Sequence, residues 1–292
     1  MTPVSDTALL VTIPPADMAT EGILRIGVTT PAPGGGLSNE GQFQVYGPEP
    51  QVMAVTNAAS LAQGTIAPGE VVAIFGLGLG PDNLTVFDSS TPPIPTLLPS
   101  SGSATSVTIN GTPAPILYTS STQVGVLVPQ SITGTVAQVV VSYGGLDSQV
   151  STATLVAVDP GIFSVASSGH GQGAILNYNT TTGDYTINSA ANPAVKGSTV
   201  VIYVTGTGVT NSLVDNQLIP ASPAVVPLVA PTVTIGGQSA VVLAAQAPPG
   251  SVPGLIQINA VVPATLQAAP ASPVVVTVGP SSSQAGLTMA VK

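Results

Sequence analysis

Charge is what this sequence has least of. Only 5% of its 292 residues are Asp, Glu, Lys or Arg, against roughly a quarter in an average soluble protein. Arg25, Lys196 and Lys292 are its three cationic residues beside a single histidine, and the formal net charge is −9. Three cations cannot follow a phosphate backbone, which excludes nucleic acid as a partner and disfavours an anionic membrane surface. Cysteine is absent, so disulfides, thiolate nucleophiles and Cys-based zinc sites are excluded, although the compartment is left open. No apolar run reaches the ~18 residues of a membrane span. The most apolar stretch, 224–235, is interrupted by Pro227 and Pro231. The N-terminus lacks the basic and apolar regions of a signal peptide, so an exported form would have lost that segment or never carried it on this chain.

Glycine and proline are plentiful, 32 and 29 residues. Set among Val, Thr and Ser, they read as short strands joined by turns. Disorder requires low hydrophobicity and high charge, the reverse of what is found here.

One pattern organises the chain and occurs three times, at 9–46, 124–158 and 256–291. Each copy has an alternating strand ending in aliphatic-Pro, a short loop, a Val-rich strand, a Gly/Ser turn and a closing strand. Counting back from the proline, the apolar positions agree: Ile13, Val11, Leu9; Val128, Val126, Val124; Val262, Ala260, Ile258. A step of two is the period of a strand with one face buried. Two further segments echo each other, NAASLAQGTIAPGEVVAIFGLGLG at 57–80 and NSAANPAVKGSTVVIYVTGTG at 188–208. So do VTINGTPAPIL at 107–117 and VTIGGQSAVVL at 233–243.

These echoes predict an all-β protein of tandem sandwiches, with complete domains at 51–158 and 159–292. Residues 1–47 would be a back half without a front half, roughly three strands. The segment PEPQV (48–52) reads as the junction. Residues 80–104 and 209–230 read as long Pro-rich loops, and a single helical turn fits near Pro15–Thr20. The expected core is Val71, Ile74, Val107, Ile109, Val126, Val128, Val139 and Val141 in the middle domain. In the last it is Val201, Tyr203, Val233, Ile235, Ile258, Val274 and Val276.

The segments TIPPADMATEG, PAPGGGLSN and FQVY resemble the back half of IPT/TIG domains, immunoglobulin-like sandwiches of the E-set group. From about residue 53, the run NAASLAQGTIAPGEVVAIFGLGLG, with PGIF, GQGAILN and VTIGG, resembles the C-terminal domain of large secreted proteins of Acidobacteria. The resemblance implies an immunoglobulin-like fold, an extracellular or cell-surface location, modular use within longer proteins and no catalytic residues.

Candidate chemistry is sparse. A Ser–His–Asp arrangement needs His170, which lies in a Gly-rich run and reads as an exposed loop residue. No Gly-x-Ser-x-Gly elbow accompanies it. The acids are scattered singly beside turns, which does not suit a glycosidase pair. Asp82, Asn83 and Asp88 are the best local oxygen cluster, yet they lack the spacing of a calcium loop and read as turn formers. GLGLG (76–80) and GTG (206–208) lack the Lys-Ser/Thr of a phosphate loop and read as strand ends. Asn83, Asn110 and Asn179 open Asn-x-Thr triplets, a pattern that a Thr-rich chain produces readily. The expectation is no enzyme, no cofactor and no metal.

Two functional readings follow. In the first, the chain is an extracellular structural or adhesive module, in which exposed strand edges without guarding charges meet partners. Leu9, Val11, Ile13, Leu24, Ile26, Val28, Phe43 and Val45 would then form one apolar face awaiting completion. The strands covering it would come from upstream domains of a longer chain, from a neighbouring subunit in a homo-oligomer or filament, or from segment 80–104 folding back. In the second, the chain is a carbohydrate- or ligand-binding module, using Tyr118, Tyr143, Tyr178 and Tyr185, or an accessory domain of a larger secreted protein.

Overall fold

The computed structural model describes residues 2–5, 7–18, 22–45, 49–99, 102–212 and 214–292. Strands and turns dominate these residues, and the helical element among them is one 3-10 turn, Pro15–Met18. The chain divides into two compact units, residues 1–49 and 50–292.

In the first unit, Thr2–Ser5 pairs antiparallel with Ala8–Leu10, and Gly22–Ile26 pairs antiparallel with Gly41–Val45. These make two separate two-stranded sheets. The alternating strand expected over residues 9–13 ends at Leu10, and Val11–Pro14 joins no ladder. Pro14 and Pro15 bring no backbone donor to extend it. Leu24 stands opposite Phe43 and Gly22 opposite Val45, so Leu24, Ile26, Phe43 and Val45 share one face.

The second unit holds two sandwiches. In the middle one, a five-stranded sheet runs Gln51–Asn57, Val71–Leu77, Gln123–Leu127, Ile116–Thr119, Thr85–Val86 in spatial order. It faces a sheet built on Thr105–Ile109, Val136–Tyr143 and Ser151–Leu155, with Thr65–Ile66 added in parallel at one side. Val72, Ile74, Val107, Ile109, Val124, Val126, Val139 and Val141 fill the space between. Segment 80–104 is the long Pro-rich loop expected, and it also lends two short strands to the sheets. Thr85–Val86 extends one sheet, Leu97–Leu98 extends the other, and Ile94 is buried. The segment therefore serves the middle sandwich.

The last sandwich is one connected sheet of eleven strands. Gln238–Gln246 pairs through Ala240 with Pro231–Ile235 and from Val241 with Ile256–Val261, the second ladder being bulged at Leu243. It thus passes from one layer to the other. The same stretch of the middle sandwich is split into Thr112–Pro113 and Ile116–Thr119. The cause lies in the sequence. Pro113 and Pro115 stand where the last sandwich has Ser239 and Val241, and proline interrupts a ladder.

Three expected core positions belong to the wrong face. Val71 and Ile74 are three apart, so one strand cannot aim both inward. Val72 and Ile74 face the core, while Val71 is buried in a separate cluster with Ile94 and Leu127. In the last sandwich Val200, Ile202 and Val204 face inward, whereas Val201 and Tyr203 lie on the outer face.

The Gly/Ser turn has a constant job in all three copies. The backbone N–H of Val28, Val141 and Val276 donates to Ser38 Oγ (2.9 Å), Ser148 Oγ (3.0 Å) and Ser283 Oγ (3.0 Å). Each serine N–H donates back to the carbonyl of the same valine.

Candidate functional site

The most elaborate polar arrangement lies where the two sandwiches of the second unit meet. The outer face of Val71–Leu77 receives the last sandwich, with Val71, Ile94 and Leu127 packing against Leu218 and Val252. Val71 N–H donates to Thr205 Oγ1 at 2.8 Å, and Asn57 Nδ2 donates to the carbonyl of Asp159 at 2.9 Å. Gln130 donates through its backbone N–H and Nε2 to Asp215, and its Oε1 accepts from Thr210 N–H at 2.8 Å. Contact is close enough that a Cβ on Gly254 would stand 2.7 Å from the carbonyl oxygen of Gly69, so only glycine fits there.

Glu70 is fully buried beside this junction. Its Oε2 accepts from Ala67 N–H at 2.6 Å, and Oε1 has no partner. Burial, and then the negative charge of Asp159, hold the Glu70 carboxyl well above its usual range. Burial also raises Asp159, although Thr65 Oγ1 donates to it at 2.9 Å. Burial disfavours the charged form of both carboxyl groups, fully so at Glu70 and in part at the half-buried Asp159. An apolar cleft of about 310 Å³, lined by Val71, Leu117, Phe163, Tyr203, Val252 and Leu255, lies along the same seam. Sequence reading missed this junction because its residues are ordinary types; the out-of-step Val71 was the available signal.

The residues expected to form an interface in the first unit are placed as follows. Leu9, Val11, Ile26 and Phe43 are exposed, at 46%, 45%, 36% and 40%. Ile13, Leu24 and Val28 are half-buried, and Val45 is buried. Val11, Ile13, Leu24 and Ile26 line a groove of about 260 Å³. Arg25 pairs with Glu40 at 3.4 Å, both exposed, a contact worth little in water.

The tyrosines divide by role. The Tyr118 ring lies where a side chain on Gly125 would stand, and its hydroxyl accepts from Gln123 Nε2 at 2.7 Å. Tyr143 is half-buried at the end of its strand. Tyr178 and Tyr185 stack with centroids 4.9 Å apart. Tyr178 also borders a polar recess of about 300 Å³ with Asn177, Asn179, Asn192 and Lys292.

The remaining candidates serve the backbone. His170 Nδ1 lies 2.8 Å from the Ser168 carbonyl, with no serine hydroxyl on the ring. Asp88 accepts from the side chain and backbone of Ser90, which hold its carboxyl below the usual range. Asp82 and Asn83 are exposed, and no group of three metal-ligating acids or histidines occurs among the described residues. Asn110 and Asn179 bond neighbouring backbone in their turns. In GLGLG, Gly76 packs on the Gln51 carbonyl and Gly80 on Thr119.

Tandem two-layer β-sandwiches are the architecture of immunoglobulin-like domains. Residues 54–158 match the IPT/TIG domain. Among solved structures, the chain is similar to the plexin A4 full extracellular region at 14% identity, covering 84% of this chain and 18% of that one, with TM-score 0.24. It is similar to SGBP-B from a xyloglucan utilization locus in Bacteroides uniformis at 14% identity, covering 82% and 49%, with TM-score 0.24. It is similar to domains 4–9 of the surface layer protein SbsC at 11% identity, covering 90% and 37%, with TM-score 0.23. The chain spans less than half the length of each. No curated protein matches it in sequence. No helix among the described residues is long and apolar enough to cross a membrane.

Proposed function

We propose that this chain is a non-catalytic extracellular module, structural or adhesive, whose N-terminal half-sandwich is completed by strands from another copy. Copies would then join head to tail, and a head-to-tail contact that does not close gives a filament. One observation carries the reading: Leu9, Val11, Ile26 and Phe43 stay exposed in a unit whose sheets have two strands each. Burying such a side chain is worth roughly 1.5–3 kcal/mol, and two-stranded sheets are marginal alone. Upstream domains of a longer protein, and segment 80–104 of the same chain, are the competing sources of cover.

The test is light scattering and electron microscopy of the purified chain over a wide concentration range. Growth of oligomers, abolished by Ile26→Asp with both later sandwiches still folded, is the expected result. A chain that stays monomeric with its N-terminal unit protected from proteolysis would overturn it.

A second reading is a glycan-binding module, favoured by the Tyr178–Tyr185 pair beside a polar recess. A titration with neutral oligosaccharides, in which Tyr185→Ala removes binding, tests it. No heat and no line broadening at any concentration would exclude it.

A further inference from the structure

The middle and last sandwiches carry the same edge strand, and only one of them is covered. In the middle sandwich the edge is Ile116–Thr119, bulged at Leu117 against Gln123–Leu127. In the last it is the second half of Gln238–Gln246, bulged at Leu243 against Ile256–Val261. The correspondence is residue for residue. Ile116 opposes Val126 as Val242 opposes Ala260, and Val126 and Ala260 each lie two residues before an aliphatic-Pro step. Supporting bonds repeat too, from Gly69 N–H to the Val128 carbonyl and from Gly197 N–H to the Val262 carbonyl.

The difference is at the outer rim. Thr85–Val86 adds to Ile116–Thr119 as an antiparallel strand, Tyr118 opposite Val86 and Thr119 opposite Thr85. Among the described residues no strand adds to Val241–Gln246 on that side. Val241 and Leu243 are 64% and 59% exposed there. Natural sheets guard such edges with charge, proline or a cover. Here neither charge nor proline stands guard: VVLAAQ contains no proline, and no charged residue occurs between Asp215 and Lys292; beyond the bulge at Leu243, cover begins at Ala247, whose N–H donates to the Val225 carbonyl at 2.8 Å.

We infer that Val241–Gln246 pairs antiparallel with the same strand of a second copy, making a two-fold dimer across the last sandwich. Three observations select this occupant. The sister edge shows that antiparallel addition is the geometry this bulged strand accepts. A strand with no charge can meet itself without like charges facing each other. An antiparallel contact of a strand with its own copy is self-complementary and closes after two chains. This contact is independent of the head-to-tail completion proposed above, which uses the first unit and does not close.

The two are separated by working in the Ile26→Asp chain, where the head-to-tail contact is removed. Sedimentation velocity over a wide concentration range should show a discrete dimer of this chain. Adding Val241→Lys and Leu243→Lys should convert it to monomer, with an unchanged far-ultraviolet spectrum. Hydrogen exchange on the wild-type chain supplies a readout without mutation: amides 241–246 should slow as concentration rises while those of 116–119 do not change. An Ile26→Asp chain that is monomeric throughout would overturn the inference. So would a dimer indifferent to the two lysines, or amides at 241–246 that exchange at one rate at all concentrations.

Discussion

Val71 donates its backbone N–H to the hydroxyl of Thr205, 134 residues away, at 2.8 Å. A strand of the middle sandwich therefore finishes its hydrogen bonding on the next one. Thr205 is fully buried, so Thr205→Val leaves a donor unpaired, at a cost of about 1–3 kcal/mol. The expected outcome in calorimetry is a lower transition temperature for both sandwiches together. Separation into two transitions would show that they melt independently and that the junction contributes little.

Glu70 makes stability depend on pH. An unfolded glutamate ionises near its ordinary value, roughly 4.3, while the folded carboxyl holds its proton to higher pH. Its contribution is complete below the ordinary range and is lost as pH rises through the folded value. Asp159 and Asp215 are raised by burial and act with the same sign. Glu70→Gln keeps the shape without the charge. Denaturant midpoints should show the variant more stable than its parent at neutral pH, with the difference shrinking toward acid. A parent whose stability rises from mild acid to neutrality would contradict this.

Gly125 leaves room for the Tyr118 ring across the strand pair. Gly125→Val forces the ring away and is expected to cost about 1–3 kcal/mol as an overpacking change. Tyr118→Ala should absorb most of that cost, so the double mutant is far from additive. Additive losses in urea unfolding would mean that the ring and the glycine do not share this space.

The three serine clamps should differ in value. Ser148 and Ser283 are buried, whereas Ser38 is exposed. Ser148→Ala and Ser283→Ala each strand a buried valine N–H and should cost about 1–3 kcal/mol. Ser38→Ala lets water take the serine's place and should cost less. Equal losses at all three sites would count against this reading.

Period-two alternation was enough to read the all-β class, the three repeats and most of the inward face, because it reports directly which side of a strand is dry. It misled at Val71, Val201 and Tyr203 for one reason. Strands such as VVAIF and VVIYV are apolar on both faces, so alternation loses its phase. In the middle sandwich the outer face is dry because another sandwich covers it. The junction itself was hidden for a related reason. Asn57, Gln130 and Thr205 gain their roles from hydrogen-bond partners 80 to 134 residues distant, and no local pattern records such a pairing. In the first unit the same alternation grouped eight apolar residues on one face, of which Leu9, Val11, Ile26 and Phe43 are exposed and Val45 is buried.

The strand Gln238–Gln246 has a mechanical consequence. It is stitched into both layers of the last sandwich, so sliding one layer over the other must shear a continuous chain of hydrogen bonds. The proline-broken counterpart in the middle sandwich lets its two layers part along a seam. Under tension the two sandwiches should therefore yield in sequence, the middle one first, giving an extended chain one weak and one strong elastic element.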